Sequence, residues 1–428
     1  MDAPEVTAAT TAAPQAGDRT RPWSIVVPLL CTTVWMVWSY LRLRPPASIT
    51  SSRPPLAAYG PWAYSHFAYS DLLTLYRIHH LADHAFPYVH TAIEYPVLTG
   101  LFMWCAAWAP GIGGYLIASS VGLWVCALGC VVILHRLSPR YAWIFALNPL
   151  LLIYSLLNWD LLAIFFMLAG WACYRSRRYA WCGALLAMGV CAKFFPLMML
   201  VYCILACFAD RDRVVRRGGG ITLAAAVLTG LVLNVPFAIV NISGWSDFFT
   251  SNVDRGGGGG LLFQLHLASH WSTGTVNAVS VVLVLATMAV LGRWVLRGAP
   301  PAVAAAAAFA VWMLLNKVFS PQYMLWVFVY GLLADWPGWT MAGVTASGLV
   351  DYANAMITLH LVSDRSRLFP WYFHTVFPLN NALRSAAITC AVLASLWVRR
   401  NDPGAAGHRI HSGVAPPRRI GAVSGLPG

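Results

Sequence analysis

Residues 160–196 read DLLAIFFMLAGWACYRSRRYAWCGALLAMGVCAKFFP. Two apolar runs, 160–174 and 180–192, flank a short loop carrying Arg175, Arg177 and Arg178, and the second run ends at Lys193. Apolar runs separated by a basic loop are the signature of a helical hairpin in a bilayer, with the arginines held on the cytoplasmic side. The rest of the chain repeats the pattern. It is 59% hydrophobic and only 10% charged, with a mean hydropathy of +0.64, whereas a soluble domain carries about 25% charged residues. This excludes an ordinary soluble globular class and predicts an all-α, polytopic transmembrane protein.

The net charge of +13 does not point to nucleic acid. All but two of the 28 basic residues are arginines, and 18 of the 28 fall in the loops Arg136–Arg140, Arg175–Arg178, Arg211–Arg217 and Arg293–Arg297 or in the two tails. Holding all of these inside predicts spans near 23–41, 141–157, 160–174, 180–192, 195–209, 220–236, 273–292, 301–316, 322–334, 339–359 and 377–397. The stretch 93–134 reads as two apolar segments broken at Pro110-Gly111, where the charge rule asks for one net crossing. The expectation is about 12 spans in the cell membrane with both termini cytoplasmic. A transmembrane domain, 23–398, then lies between tails 1–22 and 399–428 whose composition predicts disorder. The ten cysteines lie in or against apolar segments and imply no disulfide framework.

This topology places the long loops 42–92 and 237–272 outside, together with Asn158-Trp159-Asp160, Lys193, Asn316 to Tyr323 and 360–376. Several spans are short. Thirteen helical residues rise about 20 Å against a hydrocarbon core of about 30 Å, so an outward-facing depression with hydrated lysines at helix tips is expected. Lys193 and Lys317 are the only lysines. A compact ammonium suits a phosphate oxygen, although a lysine at a helix end can also simply snorkel to the interface.

Ser70-Asp71-Leu-Leu-Thr-Leu-Tyr76-Arg77 reads as the start of an amphipathic interfacial helix, with Leu72, Leu75 and Leu81 able to face lipid. Ser70 and Asp71 are equally ordinary at a helix start. A single carboxylate held at such a helix start can also take a proton from a reacting hydroxyl, and Asp71 is the candidate. Five of the twelve histidines, His66, His79, His80, His84 and His90, share this loop. The pairs His79/Asp83 and His80/His84 have helical i,i+4 spacing, which suits a metal, but hydrated interface histidines are the plainer reading, and no metal or other cofactor is expected. Glu94 stands at a membrane boundary, available for a sugar hydroxyl or for an ion pair with Lys193. Asp160 either starts its helix or contacts substrate. Arg255 and the five glycines 256–260 read as a lid or an inert loop, and Asp351, inside an apolar span, calls for a polar neighbour.

In this order, the landmarks resemble family 87 of the glycosyltransferases, membrane enzymes of the GT-C type that include polyprenyl-phosphate-mannose-dependent mannosyltransferases. The matching pieces are Ser70-Asp71-Leu72 to Tyr76, Glu94-Tyr95-Pro96, Asn158-Trp159-Asp160-Leu161-Leu162, Ala192-Lys193-Phe-Phe-Pro196, and Asn316-Lys317-Val-Phe-Ser-Pro-Gln322-Tyr323-Met-Leu-Trp326. The resemblance implies a GT-C-like fold, Asp71 as general base, and a lipid-linked donor. The candidate substrate contacts are Glu94, Tyr95, Asn158, Asp160, Asn316, Gln322 and Tyr323, with Lys193, Lys317 and Arg77 toward the donor phosphate. The expected activity is transfer of a hexose, mannose first, from a polyprenyl-phosphate sugar to a lipid or glycan acceptor of the cell envelope. The chain departs from the family at Val97, where a second proline is common, and at Asn158 and Asp160, which fill a Gln and an Asn place. It also has Gln322-Tyr323 where the known mannosyltransferases carry histidines. The rival expectation is a transporter or lipid flippase, for which ionisable groups near the midplane and an internal repeat would be expected; no repeat is visible.

Overall fold

The structure, a computed structural model, describes residues 23–51, 56–255, 258–262, 264 and 271–401. The tail 1–22 and residues 402–428 lie outside the described residues. The architecture is all-α. Among the described residues there is no strand, only isolated bridges at Pro87–Thr91 and between Gly258–Gly259 and Val318.

Five helices are long and apolar enough to cross a membrane: Trp23–Leu43, Gly111–Leu137, Arg213–Val240, Thr273–Leu296 and Phe369–Asn401. Only 6% of the apolar window of Arg213–Val240, and 11% of that of Thr273–Leu296, is buried. Leu228, Leu231, Val232, Val282 and Leu285 are all exposed. Apolar surface on this scale needs lipid rather than water as its solvent.

Inside this layer lie helices that are apolar all round. Every residue from Met324 to Leu333 in the helix Tyr323–Leu333 is buried, as is every residue from Ala302 to Ala310 in Pro301–Leu315. Small alanine side chains let helix backbones approach closely, the usual packing device where lipid supplies no hydrophobic drive.

Two expected spans change on inspection. The run 141–157 is not one helix. Pro139–Ala146 ends, Asn148 turns the chain with its Oδ1 accepting from the Leu150 N–H (2.9 Å), and Leu150–Tyr154 begins after Pro149. A proline lacks the N–H and clashes with the carbonyl four residues back, which works against a continuous helix at this turn. The stretch 93–134 resolves into Val97–Ala106, ten residues that rise about 15 Å, and Gly111–Leu137, which alone is long enough to cross. Five crossings are supported by length and apolarity; Gly338–Ser363 is 26 residues long but is not among the five, and five further apolar helices run 10–17 residues.

The first long loop carries Tyr59–Ser65, Asp71–Ile78 and a single tight turn at Leu81–Asp83. Contrary to expectation, Leu72, Leu75 and Leu81 do not face lipid. They are buried in the protein core, and Tyr76 packs on Tyr115 with ring centroids 4.6 Å apart. The apolar face that sequence assigns to the bilayer is covered by the helix Gly111–Leu137.

Candidate active site

The helix bearing Asp71 is fixed at its first turn by the turn that precedes Asp160. The Ser70 hydroxyl donates to the Leu156 carbonyl (2.6 Å), and the Asp71 N–H donates to the Leu157 carbonyl (2.8 Å). Ser70 is also the cap, its Oγ accepting from the Leu72 N–H at 3.2 Å. The Asp71 carboxylate is therefore free of capping. Its Oδ1 accepts from the Tyr69 hydroxyl (2.8 Å) and its Oδ2 from Asn158 Nδ2 (2.6 Å), with the Tyr95 hydroxyl 3.5 Å from Oδ2. Asn158 is locked in this orientation, because its Oδ1 accepts from the Trp159 N–H (2.6 Å) while Nδ2 also donates to Tyr95 Oη at 2.7 Å. Burial, and then Asp71 itself, push the Tyr69 and Tyr95 phenols above their ordinary value, so both remain protonated donors.

Tyr95 and Lys193 are brought together by tertiary hydrogen bonds. The Thr99 hydroxyl donates to the Ala192 carbonyl (2.7 Å), and Tyr88 Oη sits 2.9 Å from both the Tyr95 and Pro96 carbonyls. Lys193 Nζ lies 4.2 Å from the centre of the Tyr95 ring, 5.7 Å from that of Trp326, and 3.3 Å from Asp160 Oδ1. Trp326 is stacked between Phe195 (4.4 Å) and Tyr323 (4.2 Å). Asp160 is wholly buried and neither of its oxygens accepts a conventional hydrogen bond. Lys193 is its one ion-pair partner among the described residues.

The lysines are thus not hydrated helix tips; their relative exposures are 8% and 7%. Lys193 is neutralised by Asp160, not by Glu94. The Lys317 ammonium donates to the Val253 carbonyl at 2.8 Å, and loss of water lowers its pKa while Asp254 opposes that shift. A membrane-boundary lysine reaches water only if nothing packs over it; here aromatic rings lie over one, and Val253 and Gly258 bond to the other.

Glu94 is half-exposed and faces His79, with Oε2 3.7 Å from Nε2. Burial first, and then the nearby Asp71, raise its pKa. Asn316 Oδ1 accepts from the Val318 N–H (3.3 Å), and the Ser320 hydroxyl donates to Gln322 Oε1 (2.5 Å). These residues shape the 316–323 turn beside the cluster. Arg77 is exposed at the far end of its helix and has no hydrogen bond or ion pair with the cluster among the described residues.

The histidine pairs do not form as spaced. The helix ends at Ile78, and His80 and His84 both take left-handed backbone angles on either side of the tight turn. The i,i+4 register that would align them is absent. His84 instead stacks on Trp108 at 4.6 Å and His80 faces Asp83 at 3.7 Å. Among the described residues no group of three or more His, Cys, Asp or Glu is placed to hold a metal.

Two residues outside the expected set belong to the site. Tyr69 donates directly to Asp71; its position just before the cap is the only sequence signal for it. Arg255, exposed at the end of Ile242–Asp254, lies within electrostatic reach of Glu94, Lys193 and Lys317. Among the described residues its side chain makes no hydrogen bond and no ion pair. The arrangement offers an oriented carboxylate, a buried compensated ion pair, and an unneutralised guanidinium. No protein-family model matches the chain, and no curated protein matches it either.

Proposed function

We propose that the chain is an inverting membrane glycosyltransferase of the family-87 kind, with its active site on the extracytoplasmic face of the cell membrane and both termini cytoplasmic. Its reaction moves a hexose, mannose foremost, from a polyprenyl-phosphate donor to a lipid or glycan acceptor. The observation that carries this reading is the Asp71 carboxylate, which is not used for capping and is aimed by Asn158 and Tyr69. The resemblance at five motifs supports it, because three of them, distant in sequence, meet at Asp71, Asn158 and Lys193.

In this reading the acceptor hydroxyl oxygen attacks the anomeric carbon from the face opposite the phosphate. The bond from that carbon to the phosphate oxygen breaks and its electron pair leaves with the polyprenyl phosphate. The acceptor's proton passes to Asp71. A phosphate leaving group needs charge stabilisation more than a proton. Arg255, unneutralised and able to bind a phosphate through two N–H groups, and Lys317, with donors to spare beyond Val253, supply it. Lys193 contributes less, since Asp160 already offsets its charge. Glu94 and Tyr95 are left to contact sugar hydroxyls.

The transporter or flippase reading draws on one observation, the pairs Asp160–Lys193 and Asp351–Arg384 inside the helical bundle, since buried intramembrane charges also mark transport paths. One experiment separates the two. Purified protein in detergent is given a radiolabelled polyprenyl-phosphate hexose and extracted envelope lipids. Label transferred without a closed membrane supports the enzyme. Movement of donor across vesicles with no transfer in detergent supports the transporter.

A further inference from the structure

Gly258, Gly259 and Gly260, in the second long loop, are not slack. Gly258 pairs with the 316–319 turn: its N–H donates to the Lys317 carbonyl (3.0 Å), and the Phe319 N–H donates to its carbonyl (2.7 Å). Gly259 has φ +72°, and a Cβ there would press on the Phe319 carbonyl at 2.9 Å. Gly260 lies so close to the Asn316 carbonyl that no Cβ fits. With the Lys317 bond to Val253, both Val253 and Gly258–Gly260 are tied to 316–319.

A third tie comes from two of the long helices. Arg384, on Phe369–Asn401, donates through Nη1 to Asp351 Oδ1 (2.6 Å) on Gly338–Ser363; Asn380 donates to the same oxygen at 2.6 Å. Through Nη2 the guanidinium donates to the Gly259 carbonyl, and its Cζ lies over the Phe319 ring, 3.7 Å from the centroid. Arg384 and Asp351 are only 3% and 2% exposed. A buried ion pair alone contributes little net stability, because desolvation offsets its attraction and packed apolar residues would hold two helices as well. What apolar residues cannot do is present a planar fork that grips a carboxylate with one nitrogen and a loop carbonyl with the other.

We propose that Arg384 is a positioning residue that sets the Gly258–Gly260 strap against the 316–319 turn, which carries Lys317. What Lys317 does in catalysis rests on the transferase reading; the strap itself does not.

The test uses the purified full-length protein in detergent, as wild type, Arg384→Gln, Arg384→Lys and Gly259→Ala. Trypsin cleaves after Arg255, so the initial rate of appearance of the 255/256 cut, followed by mass spectrometry, reads how firmly the strap is held. Thermal melting is recorded alongside. Arg384→Gln and Gly259→Ala are expected to speed the cut by about tenfold or more, the size of one lost charged hydrogen bond. They should also lower kcat/KM for the transfer by a similar factor, with the loss carried in kcat. Arg384→Lys keeps the charge but not the fork and should fall between. Arg384→Gln with a wild-type melting point and a wild-type cleavage rate overturns the proposal. Should that variant fail to fold, Gly259→Ala decides, since it leaves the Asp351–Arg384 pair intact: an unchanged cut rate there also overturns it. If no protein transfers sugar, the transferase reading fails and the cleavage rates still judge the strap.

Discussion

Asp71→Asn is the sharpest substitution available, because two of the residue's three conceivable roles are already assigned elsewhere. Helix capping belongs to Ser70, whose Oγ accepts from the Leu72 N–H, and anchoring of the turn belongs to the Ser70 hydroxyl and the Asp71 backbone. Only the carboxylate is altered. It accepts from Tyr69 through one oxygen and from Asn158 through the other. Asn158 is locked as a donor, so an asparagine at 71 must turn its own oxygen toward it and its amide toward Tyr69. The Tyr69 hydroxyl can rotate to accept. The structural cost is therefore a weakened charged hydrogen bond, about 1–3 kcal/mol, and the protein should remain folded. The chemical cost is of another order. An amide cannot take a proton at neutral pH, and loss of a general base costs about a hundredfold or more. The assay is transfer of labelled hexose in detergent at saturating donor, with melting temperature and donor affinity measured on the same preparation. Tyr69→Phe, which removes a hydrogen bond but no base, should cost about tenfold or less. An Asp71→Asn protein that keeps kcat/KM within about threefold of wild type would refute the base assignment and turn attention to Glu94.

Lys193→Met leaves the wholly buried Asp160 without its counter-charge, so a loss of about 3–5 kcal/mol is expected; the double variant with Asp160→Asn should recover much of it, and additive losses in thermal melts would disprove the pairing. For topology, single cysteines replacing Ser65 and Asn252 should react with an impermeant thiol reagent in intact cells and one replacing Ser176 should not; the reverse pattern would place the candidate site inside. Burial lowers the His79 pKa from its ordinary 6.5, so the unfolded chain binds that proton more readily than the folded one. The stabilisation is present above about pH 6.5 and is lost as pH falls; His79→Phe should flatten that part of the melting-temperature profile, and an unchanged slope would assign the acid sensitivity to other groups.

Much of the helical plan was legible from composition and local pattern. Apolar run length, the arginine loops and the breaks at Pro110-Gly111 and Lys193 are properties of consecutive residues, and the observed helices Asp160–Arg175, Tyr179–Ala192 and Pro301–Leu315 begin and end close to the expected points. That Asp351 needs a polar neighbour also followed from sequence, since an unpaired charge among apolar residues is costly wherever its partner comes from. Which partner it takes did not follow. The choice of Arg384, 33 residues on, depends on how two helices pack. In the same way, Lys193 pairs with Asp160 rather than Glu94 because Thr99, Ala192 and Tyr95 fix the ends of neighbouring helices. Leu72 and Leu75 face protein rather than lipid because a later helix covers them. A periodic pattern tells which face of a helix is apolar, not what will lie against it. The glycine run shows the limit most plainly. Its composition permits any shape, and Gly258–Gly260 take one only because the carbonyls of Asn316 and Phe319 and the guanidinium of Arg384 arrive from distant parts of the chain.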